Sequence, residues 1–91
     1  MIRESRRFRI NGLDVTAYLG SPYVIIETWD GNEGHQSQRF DLAQQDGTNQ
    51  YYQAKTPLIG SRIRVTVGGV GGDQVEELFL SVEPAPTGRG N

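Results

Sequence analysis

The chain has 91 residues, 35% of them hydrophobic and 22% charged, with twelve glycines, no cysteine and a formal net charge of -2 at pH 7. A chain this short makes one domain and buries only a bit over ~60% of the surface that its unfolded form exposes, so its core must come from short, well-patterned strands, with association as a common supplement. Disulfides, thiolate nucleophiles and Cys-based metal sites are excluded, the small net charge gives no case for a nucleic-acid or membrane partner, and no segment approaches the ~20 apolar residues that span a bilayer.

Arg3, Arg6, Arg7 and Arg9 crowd the N-terminus, which has no apolar stretch of signal-peptide length. A solvated basic arm over residues 1–5 is expected. A nucleic-acid reader would interleave exposed aromatics with these cations, and only Phe8 lies among them. From Arg7 to Ile10 charged and apolar side chains alternate, and Asn11-Gly12 predicts the turn of a short first hairpin. Leu13 to Leu19 is rich in strand formers, and Gly20-Ser-Pro22 ends it.

The strongest strand runs from Tyr23 to Trp29, with Tyr23, Ile25, Glu27 and Trp29 on one face and Val24, Ile26 and Thr28 on the other. Apolar groups on both faces predict a central strand or one covered on its second side. Asp30 to His35 reads as a polar loop, and a strand from Ser37 to Ala43, with Phe40 and Leu42 facing the same way, should pair back as a hairpin. Asp46-Gly47 marks the next turn, and Tyr51-Tyr52 stands at its exit. Two adjacent tyrosines in an extended segment cannot both point inward, so one belongs to the surface or an interface.

Pro57 and Gly60 punctuate a turn feeding a strand in which Ile63, Val65 and Val67 share one face and Arg62, Arg64 and Thr66 the other. Gly68 to Asp73 reads as a glycine-rich hairpin connection to a last strand, Val75 to Val82. A helix over Asp73 to Leu80, with an Asp cap before Glu and Leu, is the competing reading. The segment from Glu83 onward has nothing to pack and is expected to be disordered or to dock elsewhere. The whole is an all-β fold, a small barrel or sandwich of five to six short antiparallel strands. The divisions are an N-terminal basic arm over 1–5, one β domain over 6–83 and a flexible tail over 84–91.

No constellation carries chemistry, and neither a metal nor a cofactor is expected. His35, the only histidine, sits beside Glu33 and near Asp30 without the three or four convergent ligands that zinc takes. The loop from Asp30 lacks the spacing of an EF-hand. Gly68-Gly-Val-Gly-Gly72 lacks the Lys-Ser/Thr of a phosphate-binding loop, and the serines sit in no nucleophile elbow.

Taken in order, Ile10-Asn-Gly-Leu-Asp-Val-Thr16, Ser37-Gln-Arg-Phe-Asp-Leu42, Thr56-Pro-Leu-Ile-Gly60 with the Ile63 to Val67 strand, and Glu77-Leu-Phe-Leu80 resemble the small β-barrel domain of bacteriophage tail and baseplate hub proteins. The resemblance covers Ile10 to Val82. Its closing strand has Leu78-Phe-Leu-Ser81 where that family often has Leu-Phe-x-Gly, and hub proteins carry this barrel as one module of a longer chain. The resemblance implies a non-enzymatic structural protein of a phage-like virion, in tail, baseplate, neck or decoration, made in the host cytoplasm and assembling into a ring, and the expected contacts are strand edges and terminal arms.

The expected partners are therefore further copies and other virion proteins, with no membrane; nucleic acid is disfavoured, and a small barrel that binds it through Arg3 to Arg9 is the third reading. Arg6, Arg7, Tyr51, Tyr52, Arg62 and Arg64 are the expected interface residues. The alternative is a carbohydrate- or peptide-binding module that presents Trp29, Tyr51 and Tyr52 on one exposed face.

Overall fold

Alternation of apolar and polar side chains sorts this chain into strands, and the pairing of those strands decides which rows become core. A computed structural model, which describes residues 7–31 and 34–85, has six strands: β1 Phe8–Ala17, β2 Tyr23–Asp30, β3 Gly34–Asp41, β4 Gln50–Gly60, β5 Arg62–Gly68 and β6 Val75–Pro84. One 3-10 turn, Gly72–Gln74, precedes β6, so the strand reading of that region holds and the helix does not. The strands form two antiparallel sheets, in the orders β4-β1-β6 and β3-β2-β5. The fold is all-β and has the form of a small sandwich.

Both central strands turn one row inward. Ile10, Leu13, Val15 and Ala17 of β1 and Val24, Ile26 and Thr28 of β2 are fully buried. Phe40, Leu42, Ala54 and Leu58 complete the core, with Phe8, Tyr52, Val75, Leu78 and Leu80 packed around it. The sheets meet along β4, which packs on β2 and β3. The segment after β3 seals one end of the sandwich: Leu42, Gln45 and Gly47 N–H groups donate to Pro22, Gly20 and Ala17 carbonyls at 3.0, 2.8 and 2.7 Å.

Three turns expected from sequence are something else. Asn11-Gly12 lies inside β1, where Asn11 is a bulge residue without a register partner on either side. Tyr51 lies over Gly12, and a Cβ there would collide with the Tyr51 hydroxyl and the Tyr52 carbonyl, so the glycine marks close approach instead of a hairpin.

Pro57 to Gly60 is the end of β4. Register with β1 jumps from Gly12↔Gln53 to Ile10↔Leu58, so Pro57 stands in an unpaired bulge where its missing N–H costs no ladder bond. The change of sheet falls at Ser61, the single residue between β4 and β5.

The Gly68 to Asp73 connection does not close a hairpin, because β5 bonds β2 and β6 bonds β1. Tyr18 N–H donates to Gln74 O at 3.4 Å, which ties this connection to the end of β1.

Two smaller expectations also change. His35 is a strand residue, opposite Trp29 in the β2–β3 ladder. The chain beyond Glu83 stays ordered through Ala85, since Pro84 lies opposite Phe8 and Ala85 N–H donates to Arg7 O at 3.1 Å. The arm over 1–5 and the tail from 86 onward lie outside the described residues.

Candidate functional site

The two long sides of the sandwich are finished differently. Along β3 and β4, side-chain amides replace a ladder: Gln38 Oε1 accepts from Lys55 N–H at 3.0 Å, and Gln36 Oε1 accepts from Ile59 N–H at 2.9 Å. This seam is capped by the chain itself, beside an open groove of about 520 Å³ lined by Gln36, Gln38, Arg39, Lys55 and Leu58.

On the opposite side β5 and β6 are both terminal strands, and among the described residues neither has a second partner. Ile63, Val65 and Val67 stand opposite the fully buried Thr28, Ile26 and Val24, so they belong to the inward row, yet they remain 37, 37 and 38% exposed. Val82, opposite buried Ile10, is 52% exposed. The sandwich is therefore open along β5 and β6, with apolar side chains at its mouth.

Apart from the charges of Arg62 and Arg64, β5 lacks the devices that usually protect an edge. Its register with β2 runs through seven pairs without a bulge, and it contains no proline. Its charges are the cations Arg62 and Arg64, whereas β6 carries Glu76, Glu77 and Glu83. Glu83 accepts from Arg9 and from Asn11, both at 3.1 Å. The Asn11 hydrogen bond first, then the Arg9 guanidinium, holds its carboxyl below the ordinary range.

The outer face of the β3-β2-β5 sheet carries a second cluster. Trp29 stacks on His35 with ring centroids 4.9 Å apart, and the Arg62 and Arg64 guanidinium carbons lie 5.6 and 5.4 Å from the indole. Glu27 joins the group, with His35 at 3.3 Å and Arg64 at 3.1 Å. Further along, Arg39 lies 4.1 Å over the Tyr23 ring. Each aromatic is covered by side chains of its own sheet, so this face presents a charged, self-paired surface in place of a bare stacking platform. Among the described residues no three His, Cys, Asp or Glu side chains converge as metal ligands.

The six expected interface residues do not form one patch. Arg6 lies outside the described residues. Arg7 pairs with Asp30 through two bonds of 3.2 and 2.9 Å, tying the start of β1 to the end of β2 and so one sheet to the other. Tyr51 is exposed on the outer face of the β4-β1-β6 sheet, in one cross-strand row with Asp14 and Phe79. Tyr52 turns inward, as adjacent extended residues must: its hydroxyl donates to Gln50 Oε1 at 2.8 Å and accepts from Ala43 N–H at 3.1 Å.

Only Arg62 and Arg64 are brought together, beside Trp29. Trp29, Tyr51 and Tyr52 thus lie on three different faces, and the single aromatic platform of the alternative reading is not formed.

Sequence reasoning expected assembly through strand edges but did not say which strands form them. The signal available was the seven-residue run Arg62 to Gly68, strand-forming throughout and free of proline. No protein family, no curated protein and no solved structure matches the chain.

Proposed function

We propose that the protein is a non-enzymatic structural component of a phage-like virion, a tail, baseplate, neck or decoration protein, that assembles through its strand edges. One observation carries the assembly role: among the described residues β5 and β6 leave their outer edges unpaired while Ile63, Val65, Val67 and Val82 stay exposed on the inward side. A lone domain gains nothing from such an edge, and a neighbouring strand would satisfy its backbone groups and bury those side chains. The setting in a virion rests on the ordered phrases from Ile10 to Val82 that resemble the hub-protein barrel.

Partners are further copies of the chain and other virion proteins, and the role is geometric instead of catalytic. Tyr51 and Phe79, exposed on the outer face of the other sheet, offer a separate contact to a different virion component. Size-exclusion chromatography with light scattering across a concentration series tests this. Mass that rises with concentration, together with capture of a virion component, is the expected result. A protein that stays monomeric throughout and binds no virion component overturns it.

A further inference from the structure

We infer that two copies of this chain join mouth to mouth, the β5 edge of each copy pairing antiparallel with the β6 edge of the other. The inference rests on the assembly role just proposed and specifies its partner, a second copy, and its register.

Three features on the two edges agree. The first is parity. Ile63, Val65 and Val67 face inward on β5, and Leu78, Leu80 and Val82 face inward on β6, each opposite a buried residue of the neighbouring central strand. Only one antiparallel register sets all three of one row against all three of the other: Ile63 with Val82, Val65 with Leu80 and Val67 with Leu78. A slip of one residue would put every apolar side chain against the wrong face.

The second is straightness. β5 pairs with β2 without interruption from Arg62 to Gly68. On β6 the extra residue is Glu76, and from Glu77 to Glu83 no residue is added. Both edges thus offer seven regular residues, and Pro84, which has no N–H to give a ladder, falls just beyond the window.

The third is charge. In the same register Arg62 stands opposite Glu83, and Arg64 stands diagonal to it, opposite Ser81. The two like-with-like alternatives lose this. Pairing β5 with β5 about Val65 brings Arg64 of both copies to diagonal positions, and pairing β6 with β6 about Leu80 sets Glu77 directly opposite Glu83. Like charges in those positions oppose pairing, and opposite charges favour it.

The product is two continuous six-stranded sheets, in each of which β3-β2-β5 of one copy runs into β6-β1-β4 of the other, with the inward rows of both on one side. Both edges border the open mouth of the sandwich, in opposite layers, so the same approach sets β5 of each copy beside β6 of the other and the contact closes on itself as a dimer.

The chain has no cysteine, so engineered thiols report the contact without background. Ladder positions alternate between two spacings, and two pairs therefore sample both: Ile63→Cys with Val82→Cys, and Arg64→Cys with Ser81→Cys, each pair in one chain. All four positions lie on edge strands, and a thermal melt of the reduced protein checks that each variant folds. Oxidation is expected to give, for at least one pair, a covalent dimer on a non-reducing gel. Mixing the matching single variants should give a covalent dimer of the two, and each single variant alone should give none.

Three outcomes overturn the inference: homodimers from a single variant, closure within one chain only, or no cross-link although light scattering shows oligomers. The last leaves assembly standing and moves it to another face. Absence of cross-links together with a constant monomer mass removes the assembly role as well.

Discussion

Gly60 is pressed against Trp29. A Cβ at Gly60 would sit 2.6 Å from the Trp29 carbonyl oxygen, and Ser61 N–H donates to that same oxygen at 2.8 Å. Here the chain leaves one sheet and enters the other, and only a residue without a side chain lets β4 come close enough to β2 for β5 to begin one residue later.

Gly60→Ala is therefore expected to destabilise the protein through backbone displacement and not through lost conformational freedom. The collision is with a carbonyl and with Thr28 Cβ, neither of which is the end of a flexible side chain. A cost of about 2 kcal/mol, the middle of the overpacking range, corresponds to a melting temperature lower by roughly 10 °C in a domain of this size. Differential scanning calorimetry at a concentration where the protein is monomeric measures it. An unchanged melting temperature would mean that β4 and β2 have room for a methyl group at this crossing.

Thr28→Val should act in the other direction. Thr28 is fully buried in the inward row of β2, and its hydroxyl oxygen has no hydrogen-bond partner. Valine keeps the shape and the strand preference and removes the unsatisfied group, whose burial costs about 1–3 kcal/mol. Urea unfolding should show a higher midpoint with an unchanged slope, equivalent to about 1 kcal/mol of added stability. A loss of stability would indicate that the hydroxyl is satisfied.

Asp46 supplies a pH signature. The Thr48 hydroxyl and then the Thr48 N–H donate to its carboxylate, and these bonds hold its pKa below the ordinary aspartate value. A carboxyl depressed in the folded state stabilises fully above its unfolded pKa, and that contribution is lost as the pH falls through the folded value. The melting-temperature gap between wild type and Asp46→Ala is thus expected to be constant near neutrality and to close in acid. A gap that persists unchanged well below the carboxylate range would assign the effect to the neutral side chain.

The faces of β2 and β5 were legible in the sequence, because period-two alternation needs no knowledge of neighbours. Phe40, Leu42 and the opposed directions of Tyr51 and Tyr52 followed from the same rule. Turn grammar was less informative. Asn11-Gly12, Pro57 to Gly60 and Gly68 to Asp73 all carry turn residues, yet they make a bulge, a strand end and a sheet-to-sheet connection. Glycine and proline mark places where the backbone is unusual, and which unusual path it takes depends on the sheet that each flanking strand joins.

The candidate surface was hidden for the same reason. An edge is a property of pairing partners, so the exposed row of Ile63, Val65 and Val67 read as an ordinary half-buried strand until β6 was found on the other sheet. The direction of Tyr52 also depended on its neighbours, and its half-buried ring turns inward with its hydroxyl bonded to Gln50 and Ala43.

Amide hydrogen exchange on β5 and β6, followed over a range of protein concentrations, tests the open edge most directly. At concentrations where light scattering gives a monomer, the β5 amides that do not bond β2 and the β6 amides that do not bond β1 should exchange rapidly. As mass rises, both sets should become protected together. Protection that is already complete in the monomer would mean that β5 and β6 close on each other within one chain. Rapid exchange that persists in the assembled protein would mean that neighbours meet elsewhere, and either result contradicts assembly through these two strands.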